Sequence, residues 1–371
     1  MNTIEIANKL ISIPSFVGKN SNEAQLAGWI FSYIKSFKIP VKKQYISEVR
    51  FNVIAGELNN PKLLVVGHMD TVPPKEGWKT DPFKPTDKEA KIFGLGASDM
   101  KGGLAVMLSL ISKTAKDKIM YLFYIDEEYY FQGMKKFIKE YKGKIKPKII
   151  ASVDGDNKIG YGCRGLIEMI VKVKGKSGHS ALPFSGINAV LSSVLLIKEL
   201  TEWLAQFQSE ELGLSTFNIA AISGGFIAGK NGQEYKLDQR ANVIPDYCEF
   251  VVEIRPATNC LTGQKIKNFL SRQIKAKGIK IINIDTKIEL GSWITDIRQI
   301  EKNLGKIPVK NLLDPGKRGY VDLQMLWETF GKVPCFTFGV GENGVAHKEN
   351  EYVKIANIKR AENFYAKLFG L

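Results

Sequence analysis

"KLLVVGHMDTVPP", residues 62–74, opens with an uninterrupted apolar run and ends on polar residues, His68 and Asp70, followed by a pair of prolines. The run is too short for a typical helix and lacks polar alternation, so it reads as a strand buried on both faces. Two further stretches repeat the pattern: "KIMYLFYIDEE" over 118–128 and "PKIIASVDGD" over 147–156. Between the first two lies "GGLAVMLSLISK", which is helical in character. Buried strands alternating with helices predict a mixed, mostly parallel sheet sandwiched by helices. Each strand ends in acids or a histidine, and the C-terminal strand ends are where open α/β sheets place ligand sites.

Upstream, "NEAQLAGWIFSYIKSF" sets Leu26, Ile30, Ile34 and Phe37 on one helical face. Beyond Gly165 the texture changes. "LIEMIVKVKG" alternates like a half-exposed strand, a long helix follows around "AVLSSVLLIKEL", then the strands "FNIAAISGG" and "CEFVVEIRP" and a helix near Phe269. This predicts a smaller α/β domain over 166–285, inserted into a larger domain made of 1–165 and 286–371. The first pattern then resumes, with a helix in "GYVDLQMLWETFG", a strand in "VPCFTFGVG" and a closing helix in "NIKRAENFYAKLF".

Composition narrows the function classes. With 44% hydrophobic and 25% charged residues over 371 positions, the chain is that of a folded globular protein. No stretch is long and apolar enough to span a bilayer, and the N-terminus lacks a leader pattern, so a cytoplasmic protein without membrane attachment is expected. Four cysteines without a C-x-x-C pair indicate reduced thiols rather than a disulfide framework. The net charge of +15 favours anionic partners, but it is spread along the chain without aromatic platforms, and no nucleic-acid partner is expected.

Zinc and related divalent metals take imidazole and carboxylate ligands. A strand-end His-x-Asp supplies one ligand, His68, and a carboxylate, Asp70, able to accept the second ring N–H and fix the tautomer. The next carboxylates are Asp99 in "FGLGASDMKGG", the acids of "YIDEE" and those of "SVDGD". Each also has an ordinary reading: a helix cap for Asp99, a solvated turn for the triplet, an Asx-turn for the last. A like-charged triplet beside a core is costly without a cation nearby. All three histidines, His68, His179 in "GKSGHSALP" and His347 in "GVAHKENEY", fall in polar turns beside strands.

Taken in order, "GHMDTVPP", "GLGASDMKGG", "DEE", "VDGD", "GHSALP", "NVIPD", "VEIRP" and "HKENEY" resemble the zinc aminoacylase and carboxypeptidase family of dimetal amidohydrolases, from Gly67 to Tyr352. That family includes acetylornithine deacetylase, succinyl-diaminopimelate desuccinylase, tripeptidase T and the amino-carrier-protein lysine hydrolases. The resemblance implies a two-domain fold with an inserted lid and dimerisation domain, and two zinc ions, with cobalt or manganese as alternatives. It implies His68, Asp99 and Asp154 as ligands of one metal and Asp99, Glu128 and His347 of the other, Asp99 bridging. Asp156 is a second candidate for the Asp154 role, although similarity to the tripeptidase T pattern favours Asp154. Glu127 would be the general base toward a metal-activated water, with Asp70 supporting His68.

The same resemblance implies a homodimer in which His179 reaches the partner's site and stabilises the oxyanion. Arg255 and Asn242 would bind a substrate carboxylate. "KRGYVD" departs from the family's usual turn, and Arg318 and Asp322 in it are expected to help select the substrate. The implied function is release of a free amino acid from an N-acyl amino acid, a deacylase of amino-acid biosynthesis, lysine biosynthesis included. "GCRGLIEM", with Arg164, resembles the amino-carrier-protein group, and this resemblance, which the positive charge suits, implies an acidic amino-carrier protein as bearer of the substrate. Two alternatives stand beside it: a di- or tripeptidase or carboxypeptidase of the same family, and a non-catalytic amino-acid-binding protein on the same fold.

Overall fold

A computed structural model describes every residue except 19–21, 115–117, 233, 306, 308, 318 and 320. The chain forms two compact units, one of Met1–Tyr161, Ile294–Asp314 and Asp322–Leu371, the other of Gly162–Trp293 and Pro315–Val321. The insertion does not end at residue 285, which lies inside the strand Lys280–Leu290, and Pro315–Val321 groups with the second unit rather than with the larger one.

The first unit is built on β1 (Val41–Tyr45), β2 (Phe51–Gly56), β3 (Leu63–His68), β4 (Ile119–Tyr124), β5 (Ile149–Ser152) and, after the second unit, β11 (Cys335–Thr337). They form one six-stranded sheet in the order β1-β2-β4-β3-β5-β11. The β4-β3-β5-β11 pairs are parallel, while β1 and β2 add an antiparallel edge, so the sheet is mixed and mostly parallel. Every residue of β3, β4 and β5 is buried, which is why these runs carry no polar alternation.

Helices cover the sheet. α1 (Thr3–Ile11) starts in a capping box made by Asn2 and Glu5, and α2 (Ala24–Lys35) buries Leu26, Ala27, Ile30 and Ile34. Phe37, expected on that face, lies beyond the helix end and is 40% exposed. α3 (Gly102–Ile111) is apolar all round because it packs between other helices and the sheet. A Cβ at Gly103 would collide with the Val153 carbonyl, so glycine lets the start of α3 approach the segment that carries Asp154. α4 is Gln132–Tyr141. Among the described residues no helix is long and apolar enough to cross a membrane.

The second unit is an antiparallel sheet of β6 (Leu166–Lys174), β7 (Thr216–Asn231), β8 (Glu234–Asp238), β9 (Tyr247–Arg255) and β10 (Lys280–Leu290), ordered β8-β7-β9-β6-β10. Alternate residues of β6 and β9 are buried against α5 (Ala189–Leu204) and α6 (Gly263–Ala276), giving the unit its own core. Trp203 of α5 stacks on Phe269 of α6, ring centroids 4.4 Å apart. The chain returns to the first unit through α7 (Ile297–Leu304) and α8 (Leu323–Thr329), and closes in α9 (Ile355–Phe369), which Gly370 ends in a left-handed turn.

Candidate metal centre

Register brings the polar strand ends of the first unit together. In the parallel pairs, His68 at the end of β3 lies opposite Tyr124 at the end of β4, and Val66 lies opposite Ser152 at the end of β5. The residues after these ends therefore share one edge of the sheet: Glu127 and Glu128 after β4, Asp154 after β5. His68 is itself the last strand residue, 2% exposed, rather than part of a turn. Asp99 comes from the turn before α3, and His347 from the segment after β11.

Three overlapping groups have ligand atoms within 4.8 Å of one another: His68, Asp99 and Asp154; Asp99, Glu128 and His347; and His68, Glu127 and Glu128. Asp99 is the carboxylate common to the first two. Its Oδ1 lies 3.0 Å from His68 Nε2 and its Oδ2 lies 3.2 Å from His347 Nε2, while His347 Nε2 is also 3.0 Å from Glu128 Oε1. Asp156 belongs to none of these groups, which are drawn from the described residues.

Neighbouring groups hold the cluster in place. Asp70 was expected to accept from the His68 ring through its carboxylate. The nearer oxygen to His68 Nδ1 is instead the Asp70 backbone carbonyl at 3.1 Å, the carboxylate being 3.6 Å away. That carboxylate accepts the amide N–H groups of Glu127 and Glu128 at 3.1 and 2.9 Å. One aspartate thus orients the ring with its backbone and the acidic pair with its side chain.

The first acid of the triplet, Asp126, turns away from the cluster. It adopts φ +68, a conformation that aspartate tolerates better than most residues, and accepts from Arg50 at 2.9 Å. Arg50 also grips the buried Glu23 through two bonds of 2.8 and 2.7 Å. Neither Glu23 nor Arg50 stands out in the sequence, since the partners lie 27 residues apart outside any local period. Asp322 is 3% exposed and accepts from the Tyr124 hydroxyl at 2.8 Å. Arg318 lies outside the described residues. His179, Asn242 and Arg255 belong to the second unit. There His179 and Asn242 are exposed on adjacent segments joined by the Ser180 amide donating to the Asn242 carbonyl at 3.0 Å, and Arg255 pairs with Glu253 at 2.9 Å.

Electrostatics mark this as a site that wants cations. Burial pushes Glu127 well above the usual carboxylate range, helped by the charges of Asp322, Glu128 and Asp154 and opposed by His68. Burial likewise raises Glu128, against its bond from His347. Burial would also raise Asp99, but hydrogen bonds from His347 and His68 outweigh it and hold Asp99 well below its ordinary value. Burial disfavours a charged His68, yet Asp70 and Asp99 together raise it well above 6.5; bonds to Asp99 and Glu128 lift His347 to about 10. Without metal, protons on the histidines offset the crowded carboxylates. Two divalent cations would do so with the same atoms, and an imidazole and carboxylate set suits them.

Asp322 gives a pH test on the metal-free protein. Burial, against the Tyr124 hydroxyl, raises it from 3.8 to about 7. The folded carboxyl then keeps a proton that the unfolded chain has released, so its contribution to stability is full below 3.8 and is lost as the pH rises to about 7. Between pH 4 and 7 the Tm of chelator-treated wild-type protein should therefore fall relative to that of Asp322→Asn. Parallel curves from scanning calorimetry would count against this assignment.

Residues 64–370 match the family described as peptidase family M20/M25/M40. Among curated proteins, an acetylornithine deacetylase of Buchnera aphidicola subsp. Acyrthosiphon pisum is 32% identical over 99% of this chain and 97% of its own length. A probable carboxypeptidase of Aspergillus clavatus is 27% identical over 97% of this chain and 86% of its own length. Among solved structures, an M20 family metallo-carboxypeptidase from Sulfolobus solfataricus superposes with a TM-score of 0.75 at 16% identity, covering 100% of this chain and 99% of that one, a likeness of fold.

Proposed function

Because the chain belongs to peptidase family M20/M25/M40, and is with it a metal-dependent hydrolase of amide bonds, we propose that it is a dimetal deacylase that frees an amino acid from its N-acyl derivative. The observation that carries the reading is the sharing of Asp99 by two donor groups, one completed by His68 and Asp154, the other by Glu128 and His347. These five residues would hold the two ions, zinc by choice and cobalt or manganese as alternatives. When bound, the pair supplies Lewis acidity toward the amide carbonyl and lowers the pKa of the attacking water.

The chain's own groups do the rest. Glu127, buried beside His68 and Glu128, takes the proton from the water and delivers it to the departing nitrogen. Its raised affinity for a proton suits that return step. The hydrogen bonds from the Glu127 and Glu128 amide N–H groups to the Asp70 carboxylate fix the backbone that presents the base and the ligand.

In this reading the protein is a homodimer. Leu191, Val194 and Leu195 of α5 are 57%, 50% and 47% exposed, and Ile222 of β7 is 47% exposed, an apolar surface that a second copy would cover. His179 would complete the partner's site as an oxyanion donor. Arg255 would exchange its Glu253 partner for a substrate carboxylate, with Asn242 beside it. The net charge of +15 suits an acidic carrier protein as bearer of the substrate. A carboxypeptidase or dipeptidase is the second reading, favoured by the similarity to the fungal carboxypeptidase.

The test is amine release from N-acetyl, N-succinyl and γ-glutamyl amino acids, from dipeptides and from a carrier-bound acyl amino acid, before and after chelation and zinc restoration. Metal-dependent release from N-acyl amino acids is expected, salt-sensitive if the substrate is carrier-bound. Release from dipeptides alone would overturn the deacylase reading.

A further inference from the structure

Glu351 lies four residues beyond His347 and is 2% exposed, with no place in the chemistry above. A buried carboxylate needs partners. Glu351 finds them in backbone: Oε2 accepts from the Gly96 amide at 2.9 Å, and Oε1 accepts from the Ser98 and Asp99 amides at 2.8 and 3.0 Å. The carbonyl of Glu351 also accepts from the Gly94 amide at 3.0 Å. Immediately after it, Tyr352–Lys354 pairs antiparallel with Lys91–Phe93, so the two segments run together into the Asp99 turn.

The turn is shaped to wrap that carboxylate. Gly96 sits at φ +77, in the left-handed region, and a Cβ there would meet the side chains of Thr71 and Lys101. Lys101, 1% exposed, closes the other side, with Nζ donating to the Ile13 carbonyl at 2.8 Å. The consequence reaches the metal residues. The turn gripped by Glu351 ends in Asp99, and the segment that delivers Glu351 begins at His347, whose Nε2 is 3.2 Å from Asp99 Oδ2.

We infer that Glu351 is a positioning residue, which fixes Asp99 against His347 through the amides of the Gly96–Asp99 turn and thereby sets the affinity for the metal pair. It touches neither the ions nor the substrate. The inference rests on the proposed metal centre, and its test separates the two. Glu351→Gln keeps the shape but turns an NH2 group toward amide donors, so at least one of the three bonds is lost.

Metal affinity is read by competition with a chromophoric chelator at pH 8, alongside Thr114→Val, which removes a buried hydroxyl bonded to Tyr121 at 2.6 Å and serves as a control for lost stability. The expected result is binding weaker by about 10–100-fold in Glu351→Gln and unchanged in Thr114→Val. Binding in Glu351→Gln within twofold of wild type overturns the inference while leaving the metal centre intact. Failure of wild-type protein to take up any metal overturns both. If Glu351→Gln does not fold, hydrogen exchange on metal-loaded wild-type protein decides. The Gly96, Ser98 and Asp99 amides should then open together with the segment from His347 to Glu351. Fast exchange at those three amides with metal still held tightly would overturn the inference.

Discussion

Glu127→Gln is expected to lower kcat by about 10²–10⁴-fold while two metal ions per chain are retained and KM changes little. The substitution keeps the volume and planar shape of the side chain, and the Glu127 amide still donates to Asp70, so the local backbone has no reason to move. What it removes is the proton acceptor. The same experiment examines a competing arrangement, because Glu127 also lies within ligand distance of His68 and Glu128. If Glu127 were a ligand rather than the base, metal content would fall along with the rate. Stoichiometry measured beside kcat therefore distinguishes the roles, and a variant of near-normal rate would sink the proposed mechanism.

Asp99→Ala should have a still wider effect. Asp99 is the carboxylate common to the two donor groups, so its loss leaves each with two of its three members. Activity is expected to fall by at least about 10³-fold, the equivalent of several kcal/mol of lost charge stabilisation. The physical readout is metal-dependent stability. At a metal concentration of 100 times Kd, binding stabilises a folded protein by about 2.7 kcal/mol per site, and that gain should vanish in Asp99→Ala. Addition of zinc should therefore raise the Tm of wild-type protein but not that of the variant. An equal rise in both would show that Asp99 is not the shared ligand.

Features with a local period were legible in the sequence. Continuous apolar runs announced strands buried on both faces, and β3, β4 and β5 are buried throughout. Their acidic and histidine endings pointed to one edge of a mostly parallel sheet, because parallel strands put their C-terminal ends on the same side. Amphipathic spacing likewise announced α2, though not where it stops, since Phe37 continues the apolar period after the helix has ended. Residue types also carried chemistry: two histidines and several carboxylates at strand ends suit divalent metals wherever the chain brings them together.

Tertiary structure alone decided what each of those carboxylates does. Asp126, Glu127 and Glu128 are consecutive and chemically alike, yet Asp126 turns to Arg50 while the other two join the histidines. The choice is made by Arg50 and Glu23, which no period connects to the triplet. Asp70 holds the His68 ring with its carbonyl and sends its carboxylate to amides 57 and 58 residues away. Glu351 is bound by amides more than 250 residues earlier in the chain. Side-chain periodicity reports burial because burial is a property of a face, whereas a buried charge is settled by whichever donors the returning chain brings within hydrogen-bond distance. The amino-acid sequence by itself thus determined the strands, their burial and the kinds of polar group at their ends; the tertiary structure decided which acids join the histidine cluster and which hold it in shape.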